Sequence, residues 1–259
     1  MRKNVKVLIM TISIAMGFFS SYCGSPTKQF PVSNILSPII TFGDSTTALR
    51  SGVVVYSTYL DNFYSTQSYK PVIINAGVPG NTTVMGFARF QVDVLDRLPK
   101  IVIIQFGIND SMIDVWNYKN APRVDLADYE INIRYFVTSA RAAGSKVILM
   151  TPNPLRWTTA LLNYYGYPPV GYAYPPPYDA TDERGLCVTL VEYAEKIREI
   201  AADMEVELVD VYNAFEDDPR DVSSLLLDGM HPNTDGQEIT GKLLIQAIEN
   251  VRRAARINP

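Results

Sequence analysis

The sequence predicts an α/β domain with three layers, α/β/α, around a five-stranded parallel sheet. Three observations predict it. Five short apolar runs punctuate the chain, helix-like patterns fill the intervals between them, and glycines and polar residues gather just after the runs. The runs are "PIITF" at 38–42, "PVIINA" at 71–76, "IVIIQF" at 101–106, "KVILMT" at 146–151 and "VELVDVY" at 206–212. Most lack period-two alternation, as expected for strands covered on both faces.

The helical patterns have identifiable boundaries. Asp125 is placed to cap a helix whose Leu126, Tyr129, Ile133, Phe136 and Ala140 share one face, and Gly144 is placed to stop it. Leu190, Ala194, Ile197 and Ala201 repeat that spacing ahead of the fifth run. Thr234 followed by Gln237 reads as a capping box, after which Ile239, Leu243, Ala247 and Val251 form the inner stripe of a terminal helix. Strand alternating with helix gives a parallel, doubly wound sheet. With 47% hydrophobic and 19% charged residues among 259, the chain can bury a full core, and one large domain is expected.

In such sheets ligands bind beyond the carboxyl ends of the strands. Those ends carry Gly43-Asp44-Ser45-Thr46, Gly77-Val78-Pro79-Gly80-Asn81, Gly107-Ile108-Asn109-Asp110 and, after the fifth run, Asp228-Gly229-Met230-His231-Pro232-Asn233. His231 is the only histidine in the sequence. A serine hydroxyl is a weak nucleophile that needs an adjacent base, itself oriented by a third group. Asp228, three residues before His231, is close enough to hold one ring nitrogen while the other faces outward. Ser45 is the favoured nucleophile, because it lies on the turn after the first strand with Gly43 removing bulk beside it. Acyl transfer also creates an oxyanion that needs preorganised donors. Gly77 would supply a backbone N–H and Asn109 a side-chain amide. Taken singly, each has a plainer reading: "GDST" as a tight turn with a helix cap, Gly77 as a turn, Asn109 as a loop cap.

Together, "FGDSTT", "NAGVPGNT", "FGIND" and "DGMHPN", in that order over roughly residues 38–250, resemble the SGNH (GDSL-type) hydrolase family. The resemblance implies a flavodoxin-like fold, Ser45 as nucleophile, His231 as base and then acid, and Asp228 as the orienting carboxylate. It also implies an oxyanion hole made of the Ser45 and Gly77 N–H groups and the Asn109 side chain. Thr46 stands where the family often has an apolar residue and Ile108 where threonine is common. Those departures bear on substrate preference, not on reaction class. The "GxSxG" elbow of other α/β-hydrolases is absent.

Arg2, Lys3 and Lys6 precede the apolar run "VLIMTISIAMGFF", a signal-peptide pattern too short for a membrane anchor. Residues 1–23 are therefore expected to direct export to the periplasm or the exterior, leaving 24–259 as a single hydrolase domain. Ser20, Ser21 and Gly24 frame Cys23 as in a bacterial lipoprotein signal, with Tyr22 departing from it. Acylation of Cys23, its loss with the leader, and its retention as a thiol are the open outcomes. Any contact with a membrane is expected only through such an anchor.

Cys187 is the one other cysteine, so neither a disulfide framework nor a zinc-type cluster is expected, and no cofactor is implied. The chain carries a charge of -4 and residues 1–22 hold three cations and no acid, so the remainder is near -7 (-4 less 3). Nucleic acid is thereby disfavoured as a partner. Nothing in the sequence sets the oligomeric state.

Between the fourth strand and the next helix, about residues 152–185 form an insertion rich in aromatic residues and proline, too long for an ordinary connection. It holds Tyr164, Tyr165, Tyr167, Tyr172, Tyr174 and Tyr178. Arg156, Trp157, Tyr164 and Tyr165, with Asp44, are the expected substrate-contacting residues. Flat apolar faces with polar edges suit sugar rings, so an O-acetylated carbohydrate is the expected substrate. A cover on the protein's own core or on another subunit is the alternative role for the loop. The alternative substrate is a lipid ester or thioester, and a non-catalytic glycan-binding surface lipoprotein is the remaining reading.

Overall fold

The computed structural model describes residues 37–167, 169–172 and 176–257. The expected leader, Cys23 and Tyr174 lie outside the described residues. Five strands form one parallel sheet: β1 (Ile39–Gly43), β2 (Ile73–Gly77), β3 (Ile101–Gln105), β4 (Lys146–Met150) and β5 (Glu207–Val209), in the order β2-β1-β3-β4-β5. The helices are α1 (Tyr56–Ser65), α2 (Thr83–Asp93), α3 (Ile108–Ser111), α4 (Leu126–Ala142), α5 (Thr159–Tyr165), α6 (Leu190–Asp203), α7 (Val211–Glu216) and α8 (Thr234–Ile257).

Alternate residues of a strand point to opposite faces, and both faces of this sheet are covered. Ile39, Ile101, Ile103, Ile148 and Met150 pack against Tyr56 and Leu60 of α1 and against Leu244 and Ile248 of α8. Ile40, Phe42, Val102, Ile104 and Leu149 face the other way, onto Phe90 of α2, Phe136 of α4 and Ile197 of α6. All of β1 and β3 is buried, which is why those runs show no alternation. A third apolar cluster, including Ile108, Met112, Leu155, Leu161, Cys187 and Met230, lies under the insertion.

The helix boundaries follow local chemistry. Asp125 accepts the Asp128 N–H at 2.8 Å, and Gly144, at φ +83°, ends α4. Two expectations are corrected. The fifth strand stops at Val209, because Asp210 accepts the Asn213 N–H at 3.2 Å and starts α7, so residues 211 and 212 are helical. Helix α8 is capped by Asn233, whose Oδ1 accepts the N–H groups of Asp235 and Gly236 at 3.0 and 3.1 Å. Gln237 is buried and points away from Thr234: its Oε1 accepts the Tyr56 N–H at 2.7 Å and its Nε2 donates to the Thr46 carbonyl at 3.0 Å. The inner stripe of α8 centres on Leu244, Ala247, Ile248 and Val251, with Ile239 and Leu243 at its edge.

From β1 the chain crosses to β2 on one side and then to β3 on the other, so the winding reverses between β1 and β3. Their carboxyl ends are where a doubly wound sheet opens its binding crevice.

Candidate active site

The turn after β1 is held from several sides. A Cβ on Gly43 would lie 2.2 Å from Thr47 Oγ1 and 2.5 Å from the Gln105 carbonyl, so only glycine lets the turn close against β3. Asp44 is buried and accepts the Thr46 N–H and hydroxyl, both at 2.8 Å. The Thr46 hydroxyl also lies 3.1 Å from Gln105 Oε1, and Gln237 holds the Thr46 carbonyl from below. Burial pushes the Asp44 carboxyl above its ordinary range, against the hydrogen bonds from Thr46. Flanked by buried residues, Ser45 is left half-exposed.

His231 reaches it. Its Nε2 lies 2.9 Å from Ser45 Oγ, and its Nδ1 lies 2.8 Å from Asp228 Oδ2. An Nδ1–H donated to the carboxylate leaves Nε2 as the acceptor for the serine hydroxyl. The loop between the two residues is stiff. Asp228 Oδ1 accepts the N–H groups of Met230 and His231 at 3.0 and 2.8 Å, Leu227 donates its N–H to the His231 carbonyl at 2.8 Å, and Asn153 Nδ2 donates to the Met230 carbonyl at 2.9 Å. Burial alone would raise the Asp228 carboxyl, but the hydrogen bonds and charge of His231, with the Met230 N–H, outweigh it and hold the group well below the usual carboxylate range.

On the other side of Ser45, Asn109 is buried at the start of α3, where its Nδ2 donates to the Asn81 carbonyl at 3.1 Å and lies 3.4 Å from Asp44 Oδ2. Arg89 ties the strand ends to this loop, donating to the carbonyls of Ala76 and Gly43, both at 2.8 Å, and to Asn81 Oδ1 at 2.7 Å. Ser45, Asn109 and His231 share a cavity of about 470 Å³ with Gly80 and Pro79, and Leu161, Tyr164 and Tyr165 of α5 also line it. A second cavity, of about 520 Å³, is lined by Arg141, Lys146, Glu205, Glu207 and Asn250 at the opposite ends of β4 and β5. Its lining includes no nucleophile and base within bonding reach.

A family model described as GDSL-like lipase/acylhydrolase matches residues 41–239. The chain belongs to that family. Membership makes it an ester hydrolase by class. An acetylxylan esterase of Geobacillus stearothermophilus is 25% identical over 68% of this chain and 71% of its own length. The uncharacterized lipoprotein YqeF of Bacillus subtilis is 43% identical over 32% of this chain, spanning only 33% of its own length. A lipase/acylhydrolase of Enterococcus faecalis has the same fold, with a TM-score of 0.64 at 24% identity, covering 83% of this chain and 96% of that one.

The structure brings Ser45, Asp228, His231 and Asn109 together and lines the cavity with Tyr164 and Tyr165, as the sequence of this GDSL-family chain suggests. Four expected site residues stand elsewhere. Gly77 donates its N–H to Asn75 Oδ1 at 2.9 Å, and a Cβ there would sit 2.3 Å from the Ala48 nitrogen, so it is a packing glycine of β2. Asp44 spends its carboxylate on the Ser45 turn and is buried. Arg156 pairs with Glu216 at 2.9 Å and Glu183 at 3.3 Å, and its N–H donates to the Gly229 carbonyl at 2.8 Å, which supports the His231 loop from outside. Trp157 packs behind Tyr165, with ring centroids 5.5 Å apart, and against Gly185. Thr46 and Ile108 are both buried and do not line the cavity, so neither family departure lies at its surface.

Pro79 and Gly80 fall in the loop expected after the second strand but were given no role there, and Leu161 and Arg50 were missed; all four line the cavity. Gly80, at φ +77°, has an N–H that makes no hydrogen bond among the described residues, and the same holds for the Ser45 N–H. No local signal separated the two glycines, since both follow the run at 71–76, and the structure extends β2 through Gly77.

Proposed function

We propose that this protein is a serine esterase that removes acetyl groups from a carbohydrate outside the cytoplasm. The observation that carries the reading is the unbroken relay from Ser45 Oγ through His231 to Asp228, with contacts of 2.9 and 2.8 Å. Ser45 Oγ attacks the ester carbonyl carbon while His231 Nε2 takes its proton, and Asp228 holds the resulting imidazolium. The oxyanion is met by the Ser45 and Gly80 N–H groups and by Asn109, whose long 3.4 Å contact to Asp44 is readily exchanged for it. Collapse breaks the bond to the alkoxide, which leaves with the proton from His231. Water then repeats the sequence on the acyl-serine and releases the acid and free Ser45.

The acetyl-glycan part of the reading is supported by the tyrosine wall of Tyr164 and Tyr165 beside Ser45 and by the acetylxylan esterase relative. Export is supported by the basic and apolar start of the sequence, and attachment through an acylated Cys23 by the lipoprotein relative. No helix among the described residues is long and apolar enough to cross a membrane.

An acyl-length series of p-nitrophenyl esters, run on the full chain and on Ser45→Ala, tests the chemistry, and acetate release from acetylated xylan tests the substrate. The acetyl ester is expected to have the highest kcat/KM, with Ser45→Ala lowering it roughly 10⁴- to 10⁶-fold. Preference for octanoyl over acetyl would instead favour a lipid-directed esterase.

A further inference from the structure

Arg50 lines the catalytic cavity, and among the described residues its guanidinium has neither an ion-pair partner nor a hydrogen-bond acceptor. That sets it apart from Arg89, Arg156 and Arg184, each of which meets a carboxylate. It is half-buried, and its backbone is held in a turn in which the Val53 N–H donates to the Arg50 carbonyl at 3.3 Å, with Gly52 at φ +77°. Nor do the nearby acids serve it: Asp228 is engaged by His231, and Asp44 is buried within the Ser45 turn. A half-buried arginine without a counter-charge offers a planar set of donors suited to a carboxylate or a phosphate.

We propose that Arg50 selects esters whose alcohol portion carries an anionic group. The inference rests on the acetylesterase reading above, because an acetyl group has no room for a charge and the anion must then belong to the glycan. The substrate class becomes an O-acetylated acidic carbohydrate. Arg50 is a specificity residue, outside the Ser45–His231–Asp228 relay.

The test compares kcat/KM for 4-acetoxybenzoate and for 4-acetoxyphenyl phosphate with that for neutral 4-acetoxybenzamide, on the full chain. The quantity read is the anion-to-amide ratio, and comparing it between proteins cancels the intrinsic reactivity of each ester. Arg50→Gln is expected to lower the ratio about five- to tenfold, a loss intermediate between exposed and fully buried charged hydrogen bonds. Arg50→Glu lowers it further and Arg50→Lys restores part of it, with the change residing mainly in KM. Raising ionic strength from about 0.02 M to about 0.5 M lowers the ratio in the native protein and leaves it level in Arg50→Gln. That salt arm on the native protein needs no variant to fold. The anion whose ratio falls further from the native protein to Arg50→Gln is the preferred one.

Equal ratios in the native protein and Arg50→Gln, or a native ratio indifferent to salt, overturn the role of Arg50 while leaving the esterase standing. No hydrolysis of any of the three esters beyond that of Ser45→Ala overturns both.

Discussion

Replacing Gly229 by alanine strikes the relay without touching any of its side chains. Gly229 sits at φ +91°, in the left-handed region, and a Cβ there would lie 2.0 Å from the Arg156 carbonyl oxygen and 3.2 Å from Thr158 Cγ2. The obstacle is backbone, so the loop carrying Asp228 and His231 must move. The conformational cost for a non-glycine residue is about 1–2 kcal/mol, and weakening the 2.8 Å bond from the Arg156 N–H to the Gly229 carbonyl adds about 1 kcal/mol. Together these come to about 2–3 kcal/mol, which lowers Tm by roughly 5–10 °C for a domain of this size. A displacement of about 1 Å between base and nucleophile costs on the order of 10² in rate, so kcat on p-nitrophenyl acetate falls about 100-fold at a temperature where the variant is fully folded. Thermal melting by circular dichroism and steady-state kinetics read the two effects separately. A variant with native kcat and native Tm would refute the argument that this loop is fixed by close backbone contact.

Asn109→Ala removes one of the proposed oxyanion donors and is expected to lower kcat by about 10² to 10³, or roughly 2.7–4 kcal/mol, with little change in KM. A fall confined to KM would place Asn109 in substrate binding instead. Asp110→Asn tests a buried carboxyl: Asp110 accepts the Thr83 N–H at 2.8 Å and its hydroxyl at 2.6 Å, and burial pushes its pKa up to about 7. The unfolded chain sheds this proton near 3.9, so between that value and about 7 the native state holds more protons and its stability falls as pH rises, by up to about 1.4 kcal/mol per pH unit. Urea denaturation at several pH values should therefore show Asp110→Asn gaining about 2–4 kcal/mol relative to the native protein between pH 4.5 and 7.5. Parallel stability curves would contradict it.

Much of the site was legible because the chemistry follows strand ends. Runs of apolar residues too short for helices fixed where β1 and β3 stop, and Ser45 and Asn109 follow those stops. Asp228 and His231 were legible as a local pair, three residues apart, with a proline to stiffen them. What composition does not carry is the direction of a backbone N–H. Gly77 and Gly80 share one motif, and only the hydrogen bond to Asn75 and the packing on Ala48 separate the strand glycine from the one lining the cavity. Buried polar residues were misread for a related reason. Asp44 and Gln237 look like a ligand contact and a helix cap, yet both satisfy backbone groups around the Ser45 turn, a tertiary requirement invisible in either local motif. The insertion divides its roles: Trp157, Tyr165 and Tyr178 pack on the third apolar cluster while Tyr164 and Tyr165 present a wall to the cavity. Core cover and cavity wall are thus two faces of one segment, and aromatic content alone could not apportion them. Arg50 escaped notice because an isolated arginine in a turn carries no motif.

The relay itself is tested most directly by active-site labelling. The full chain is treated with a fluorophosphonate near neutral pH and its peptides are mapped by mass spectrometry, alongside His231→Ala. One adduct is expected, on Ser45, formed in step with loss of esterase activity and nearly abolished without His231. Esterase activity that survives complete modification of Ser45, or an adduct on a different serine that tracks the loss, would contradict it.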